Sequence, residues 1–131
     1  ILAGRVDATV ERARGHDDTS ALAAQLAGCG DRLVATLGRL YGAPSLDMTL
    51  ANATPYLEAF GHFVVAWIWL EQGLIAASKL SAATGSERDF YAGKLQAARY
   101  FYRWELPKIG PLLDALDALD RTTLEMREDW F

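Results

Sequence analysis

Apolar residues recur at steps of three and four along residues 52–80, and this period predicts an α-helix. Thr54 and Pro55 indicate where it begins, because threonine can cap a helix and proline is tolerated at the first helical position. Further apolar side chains fall on the opposite side, so the helix is apolar nearly all round. Such a helix is buried on most sides or spans a membrane, and we expect it to continue to about Ala83.

The uncharged part of this helix decides between these two alternatives. It covers residues 59–70 and is closed by Glu58 at one end and Glu71 at the other. At about 1.5 Å per residue this run is about 18 Å long, whereas a bilayer core needs ~30 Å. We therefore predict a central packing helix and no membrane association.

Two further helices are predicted before the central one. The first covers residues 1–14, and the second follows a polar break and runs to about Tyr41. Either Asp17 or Asp18 can cap this second helix. Its expected buried stripe consists of Leu22, Leu26, Leu33, Leu37, Leu40 and Tyr41.

Gly28 and Gly30 flank the lone cysteine, Cys29, inside the second helix. Each glycine weakens a helix by ~1 kcal/mol relative to alanine, so a kink or a close helix contact is expected here. Cys29 has no histidine nearby in sequence, and we expect a buried or half-buried small residue rather than a nucleophile. A single cysteine cannot form an internal disulfide, which fits a reducing compartment such as the cytoplasm.

The segment after the central helix predicts a long helix with an interruption. Ser86 can cap a helix that begins at Glu87, and apolar positions follow at helical spacing to Leu106. Pro107 and the nearby Gly110 and Pro111 are expected to break or kink it, because proline lacks the N–H that a helix interior needs. A last apolar segment covers residues 112–119.

Two shorter segments complete the chain. Ser45 can cap a lead-in turn over residues 46–53, and the polar tail after residue 119 carries apolar anchors. These anchors are Leu124, Met126, Trp130 and Phe131. Long helices joined by short turns predict antiparallel neighbours. The expected fold is all-α: an antiparallel, up-down four-helix-type bundle with a kinked last helix, forming one domain over residues 1–131.

Composition and charge narrow the function classes. The chain has 131 residues, of which 51% are hydrophobic, so it is large enough to bury a real core. Its formal net charge is −4, the opposite of what a broad nucleic-acid-binding surface needs, and we predict no nucleic-acid partner. The first residues do not form a signal peptide, and the missing initiator methionine agrees with a piece of a longer protein.

Candidate chemistry is sparse. Glu58 and His62 are four residues apart on one helical face, which is a metal-ligand spacing, but a usable site needs three or four ligands. We therefore expect a hydrogen-bonded or interfacial histidine. No dinucleotide fingerprint, phosphate-binding loop or nucleophile elbow occurs in the sequence. We predict no catalytic, cofactor-binding or metal-binding residue in this chain.

The segment from Arg99 to Trp104 is the sharpest signal outside the expected core. Arg99 and Arg103 share one helical face, with Tyr100 and Trp104 in the next row. One interpretation is core aromatic residues covered by long arginines, with an Arg–Glu pair. Another is a contact surface for a second domain or subunit, since these residue types are enriched at interface centres. Binding of an anion such as a nucleotide phosphate is a lesser alternative.

Three stretches carry a family resemblance: NATPYLEAFGHFVVAWIWL, FYAGKLQAARYFYRWELPKI and TTLEMREDWF. Residues 45–131 resemble the extra C-terminal helical domain of the long bacterial acyl-CoA dehydrogenases, whereas residues 1–44 match only in helical pattern. The resemblance implies a parent flavoenzyme that oxidises acyl-CoA to 2-enoyl-CoA, with FAD taking the hydride and a glutamate removing the α-proton. That machinery belongs to upstream domains, so no catalytic, FAD or CoA residue is carried over.

The function expected from this resemblance is a non-catalytic C-terminal accessory or oligomerisation domain. It would pack on the upstream catalytic domains or on a second subunit, with Arg99, Tyr100, Arg103 and Trp104 as interface candidates, and we expect a homo-oligomer. The alternative is a self-standing helical protein–protein interaction module, dimeric through Trp67 and Trp69 or through Trp104. Peripheral membrane attachment is disfavoured, because basic residues do not line up beside an exposed apolar face.

Overall fold

The computed structural model describes residues 2–131, and this part of the chain is helical with no β-strand. The α-helices are α1 (Leu2–Arg14), α2 (Ser20–Tyr41), α3 (Leu46–Ala51), α4 (Ala53–Leu80), α5 (Gly85–Tyr100) and α6 (Ile109–Asp117). A π-helical turn (Phe101–Glu105) and a 3-10 turn (Leu106–Lys108) connect α5 to α6, and a second 3-10 turn (Glu128–Trp130) lies in the tail. The prediction of an all-α fold is confirmed.

The long helices alternate in direction around α4. Tyr56 near the start of α4 donates a hydrogen bond to the carbonyl of Leu33, late in α2, so these two helices run antiparallel. The α5 segment is also antiparallel to α4, because Lys94 contacts Gln72 while the later Tyr102 contacts the earlier Ala66. With α1 folded back on α2, the result is the predicted up-down four-helix bundle.

The last helix is kinked, as predicted, but the chain stays helical across the kink. Pro107 has no N–H, so it cannot donate to a carbonyl in the preceding turn. The backbone widens into the π-helical turn, in which the N–H of Leu106 donates to the carbonyl of Phe101. The helix then tightens into the 3-10 turn and resumes as α6, three residues earlier than the apolar spacing indicated.

Several helix ends differ from the predicted ones. Thr19, rather than Asp17 or Asp18, precedes α2, and its buried hydroxyl donates to the carbonyl of Ala13, 2.9 Å away. This bond ties the end of α1 to the start of α2, which a solvent-exposed aspartate cap would not do. The prediction for Ser45 is confirmed, because its hydroxyl accepts a bond from the N–H of Met48.

The boundaries of α4 and α5 are also shifted. Asn52, rather than Thr54, precedes α4, and its buried amide donates to the carbonyls of Met48 and Asp120. The amide therefore connects the start of α4 to α3 and to the segment that follows α6. The α4 helix ends at Leu80, short of the predicted Ala83, and α5 begins at Gly85 instead of Glu87. Glycine suits that position, since its φ of +54° lies in the left-handed region.

The core lies on one side of α4. Its buried residues are Ala59, Phe63, Ala66, Trp67, Leu70, Gly73, Ala76 and Ala77. The small residues allow α5 to approach closely, and a Cβ placed on Gly73 would lie 3.5 Å from the Cβ of Ala98. The opposite side is open to solvent, so the expectation of burial on most sides is wrong for that face. Tyr41, also expected in a buried stripe, is 79% exposed.

By length and composition alone, α4 is long and apolar enough to cross a membrane. In the structure it is the shared centre of the bundle and contacts α1, α2, α5 and α6. The core helix of a helical bundle can meet the same criteria of length and apolar composition as a membrane span. Packing within the bundle therefore accounts for the apolar character of its buried side.

Candidate interaction surfaces

The side chain of Trp67 belongs to the core and not to an exposed surface. It is 8% exposed, and its indole N–H donates to the hydroxyl of Thr9 at 2.9 Å. That hydroxyl lies 2.7 Å from the carboxylate of Glu71, which also pairs with Arg12 at 3.3 Å. This polar network joins α1 to α4. The hypothesis of dimerisation through Trp67 is therefore wrong, because the residue has no free face.

Trp69 is only half-buried and is partly covered from within the chain. The ammonium group of Lys94 lies 5.7 Å from the centre of its ring, close enough for a cation–π interaction. The same lysine contacts Gln72, so it bridges α5 and α4 beside this tryptophan. Trp69 therefore contributes to the contact between the two helices.

The interface candidates lie together at the end of α5 and in the π-helical turn. Tyr100 and Trp104 are 58% and 62% exposed. Arg99 and Arg103 line one shallow pocket of about 280 Å³, together with Leu22, Gln25, Tyr102 and Pro107. We call Arg99, Tyr100, Arg103 and Trp104 the α5 end face.

The interpretation of this segment as covered core aromatics fits only part of it. Tyr102 is 1% exposed, whereas its neighbours Tyr100 and Trp104 are not covered. The expected Arg–Glu pair does not form. Arg99 pairs with Asp18 at 2.8 Å, and Glu105 pairs with Lys108 at 2.6 Å.

A buried contact that the sequence analysis missed lies beneath the α5 end face. The hydroxyl of Tyr102 donates to the carbonyl of Ala66 at 2.9 Å. The carbonyl of Tyr102 itself accepts from the side-chain amide of Gln25, also at 2.9 Å. In a π-helical turn this carbonyl would pair with the residue five positions later, which is Pro107 and has no N–H. Gln25 supplies the missing donor.

Replacing Gln25 with alanine should lower the free energy of unfolding by about 1 kcal/mol, because the carbonyl of Tyr102 loses its donor. Urea denaturation followed by far-ultraviolet circular dichroism measures the change. Gln96→Ala on the exposed side of α5 is the matched control and should change the stability little. Equal losses in both variants would contradict this role of Gln25.

The stability of the fold at alkaline pH depends on the ionisation of Tyr102. Burial raises the pKa of its hydroxyl well above the ordinary value of 10.0. The unfolded chain releases this proton near pH 10, whereas the folded chain retains it, so the stabilisation is complete below pH 10 and is lost as the pH rises further. We expect Tyr102→Phe to flatten this decline in denaturation curves measured at increasing pH. The exposed Tyr100→Phe should retain the wild-type slope, and a Tyr102→Phe variant with that same slope would count against the assignment.

A groove of about 560 Å³ opens between α1, α2 and α4. Its apolar lining includes Phe60 and Phe63, and its rim carries the carboxylates of Asp7, Glu11 and Asp31. The close helix contact expected near Cys29 is found at one of the two glycines. A Cβ on Gly30 would lie 3.3 Å from the ring of Phe63, whereas Gly28 faces open space.

Cys29 and His62 both have local structural roles. Cys29 is half-buried, as predicted, and burial raises the pKa of its thiol while Arg32 opposes that shift. The raised pKa disfavours the reactive thiolate. Nδ1 of His62 lies 3.2 Å from the main-chain oxygen of Glu58, one helical turn earlier. Within residues 2–131, no three His, Cys, Asp or Glu side chains are grouped to hold a metal ion.

Among the described residues, two more groups of apolar side chains are exposed besides the α5 end face and other single apolar side chains. The first is the solvent side of α4, whose exposed positions we call the α4 outer row: Leu57, Gly61, Ile68, Ile75 and Lys79. The second is the C-terminal tail, where Leu124, Met126, Trp130 and Phe131 are 39–97% exposed. These residues do not anchor the tail on the bundle, contrary to the prediction.

Comparison with known proteins shows the family to which this chain belongs. A family model described as "Acetyl-CoA dehydrogenase C-terminal like" matches residues 2–127. The chain belongs to this family. The match confirms the resemblance seen in residues 45–131 and extends it over α1 and α2, where the sequence showed only a helical pattern.

Relatives of this acetyl-CoA dehydrogenase C-terminal-like domain are much longer proteins. This chain is 32% identical over 77 residues to the broad-specificity linear acyl-CoA dehydrogenase FadE5 of Mycobacterium tuberculosis. The match covers 58% of this chain. The chain is 30% and 31% identical to two butyryl-CoA dehydrogenases of Syntrophomonas wolfei, over 59% and 60% of the chain. In each case the match spans 13% of the relative's length.

Proposed function

We propose that this domain is a non-catalytic accessory domain of an FAD-dependent acyl-CoA dehydrogenase. The parent enzyme would oxidise acyl-CoA to 2-enoyl-CoA in its upstream domains, in the cytoplasm. The domain would pack on the catalytic part of the enzyme and stabilise it. The observation that carries this proposal is that acyl-CoA dehydrogenases share the region as a small part, 13%, of their length.

The polar groups of the bundle support a structural role. Thr9, Glu71 and Arg12 join α1 to α4, and Thr36 donates to Asp117 at 2.7 Å between α2 and α6. These side chains hold helices together and do not converge on a cavity. The bundle therefore uses its polar groups for packing.

The groove between α1, α2 and α4 does not fit FAD. Its rim carries Asp7, Glu11 and Asp31, and Arg14, which also lines the groove, pairs with Glu11 at 2.5 Å. Carboxylates at this rim would repel the diphosphate of the cofactor. We therefore assign flavin binding in the proposed parent to residues outside this domain and derive no chemical step here.

The α5 end face is the surface we assign to docking on the catalytic part. Tyr100 and Trp104 are large, rigid and exposed, and aromatic residues with arginine are typical of interface centres. Gln25 and Pro107 hold the π-helical turn that carries Trp104. The turn is therefore fixed before docking, which reduces the entropy lost on association.

Enzyme assays test the catalytic part of the proposal. The 131-residue chain, purified alone, should bind no flavin and should not oxidise butyryl-CoA in the presence of added FAD and an artificial electron acceptor. The product of the complete reading frame that encodes the chain should do both. Turnover by the chain alone would contradict a non-catalytic role.

Substitutions in the complete gene product test the docking face. Trp104→Ala should lower its melting temperature or activity, while the melting temperature of the isolated chain stays unchanged. Phe90→Ala, at an equally exposed aromatic residue earlier on α5, is the matched control and should alter neither protein. Docking through the α5 end face is wrong if Trp104→Ala behaves like Phe90→Ala in the complete product.

The alternative function is a self-standing helical interaction module. The observation that favours it is the α4 outer row, an apolar face that the bundle itself leaves open. An antibody raised against the chain distinguishes the two functions in a cell extract. A band of the size of the 131-residue chain favours the module, whereas a much larger band favours the accessory domain.

A further inference from the structure

We propose that the α4 outer row pairs two copies of this chain, with the two α4 helices antiparallel and Ile68 on the two-fold axis. This inference goes beyond the proposed function and does not rest on it, because it uses a face separate from the α5 end face. It begins from the exposure of Leu57, Ile68 and Ile75, which are 68%, 45% and 54% exposed. Apolar side chains that stay this open on the central helix of a bundle indicate a partner.

The spacing of the α4 outer row reads the same in both directions. From Leu57 to Lys79 the steps between these exposed positions are four, seven, seven and four residues, so Ile68 lies at the centre. At 3.6 residues per turn these positions fall within about 40° of the helix surface and extend about 33 Å along it. A two-fold axis requires a self-complementary surface of this kind.

Antiparallel pairing about Ile68 matches shapes across the two copies. Gly61 of one helix then faces Ile75 of the other, and this match occurs twice because of the two-fold symmetry. A Cβ on Gly61 would meet nothing within 4 Å, so space is open above it. The branched side chain of Ile75 can enter this space, which brings the helices close together as side-chain packing between helices requires.

Charges at the two ends of the row favour the same arrangement. Glu58 lies beside Leu57, is exposed, and forms no ion pair within residues 2–131. In the antiparallel pair Glu58 lies next to Lys79 of the other copy. The two-fold symmetry therefore gives one ion pair at each end of the apolar row. A parallel pair would instead place Glu58 beside Glu58 and Lys79 beside Lys79.

The exposed apolar side chains of the C-terminal tail do not suit this row. The C-terminal tail carries Trp130 and Phe131 directly after the acidic Glu128 and Asp129. Its charged groups would have no partners along the uncharged stretch from residue 59 to residue 70. A second α4 row, which is equally uncharged there, leaves no charge unpaired.

Sedimentation equilibrium tests the pairing over protein concentrations of about 1 μM to 1 mM. Wild-type chain should form a dimer within this range. Ile68→Asp should weaken the dimer by about 100-fold or more, because two carboxylates would face each other on the axis. Val34→Asp, at a more exposed apolar residue of α2, is the matched control and should leave the dimer intact. A monomer at every concentration, or equal loss in both variants, overturns the proposal.

Disulfide trapping tests the orientation. With Cys29 replaced by alanine, Ile68→Cys should form a cross-linked dimer under mild oxidation, because the two sulfurs meet at the axis. Ile75→Cys should not, since its two copies would lie about 21 Å apart along the helices. Efficient cross-linking of both variants would indicate a parallel pair and overturn the antiparallel arrangement.

Charge reversal gives an independent check of the ion pairs. Glu58→Lys and Lys79→Glu should each weaken the dimer by about 3–30-fold, since each substitution affects two exposed ion pairs. The double variant restores opposite signs and should recover wild-type association. Circular dichroism should show that both single variants are folded. If the double variant then failed to recover wild-type association, the proposed ion pairs and register would be wrong.

Discussion

Replacing Trp67 with alanine is expected to lower the free energy of unfolding by about 3–5 kcal/mol. The side chain is 8% exposed, so its removal leaves a cavity between α1 and α4. The substitution also removes the N–H that donates to Thr9. Urea denaturation followed by circular dichroism measures the loss.

Two matched variants separate the causes of this effect. Trp67→Phe keeps most of the apolar burial and loses the hydrogen bond, so its loss of stability should lie between wild type and Trp67→Ala. Trp104→Ala removes the same side chain at a position that is 62% exposed and should change stability within about 0.5 kcal/mol. If Trp104→Ala destabilised the chain as much as Trp67→Ala, the division between core and surface would be wrong.

The second large effect is expected at Gly73, where α4 and α5 approach closely. Gly73→Leu should lower the free energy of unfolding by about 1–3 kcal/mol or more, because the leucine side chain would overlap Ala98 and Leu95. An added Cβ alone would lie 3.5 Å and 3.7 Å from those side chains, which is ordinary contact. Gly73→Ala should therefore be neutral, or stabilising by up to ~1 kcal/mol through its helix propensity.

Thermal unfolding of the two Gly73 variants measures this difference. Gly93→Leu is the control for introducing leucine into a helix, because a Cβ at Gly93 meets nothing within 4 Å. It should not destabilise the chain. A Gly73→Leu variant that melts at the wild-type temperature would mean that α4 and α5 do not approach closely at this position.

The interface candidates show why sequence patterns located a surface without its supporting contacts. The four-residue spacing of Arg99 and Arg103 correctly placed both on one face, because neighbouring positions on a helix follow from its period. The donor that holds the turn is Gln25, which is 77 residues from Tyr102 in sequence. Pro107 was a signal that a carbonyl would lose its partner, but nothing local in sequence identifies the residue that replaces it.

The sequence by itself determined that this chain is helical, where the long helices lie, that the last one kinks near Pro107, and to which family the chain belongs. Local spacing carries the information on the helices and the kink, because the helical period and the missing proline N–H act within one or two turns. The family was indicated separately, by the resemblance of three stretches of sequence. Only the tertiary structure decided which side of α4 is buried. A helix that is apolar all round gives no preference for either side, and the choice depends on small residues such as Ala66 and Gly73 that let α5 approach. The same choice left Leu57, Ile68 and Ile75 exposed to solvent.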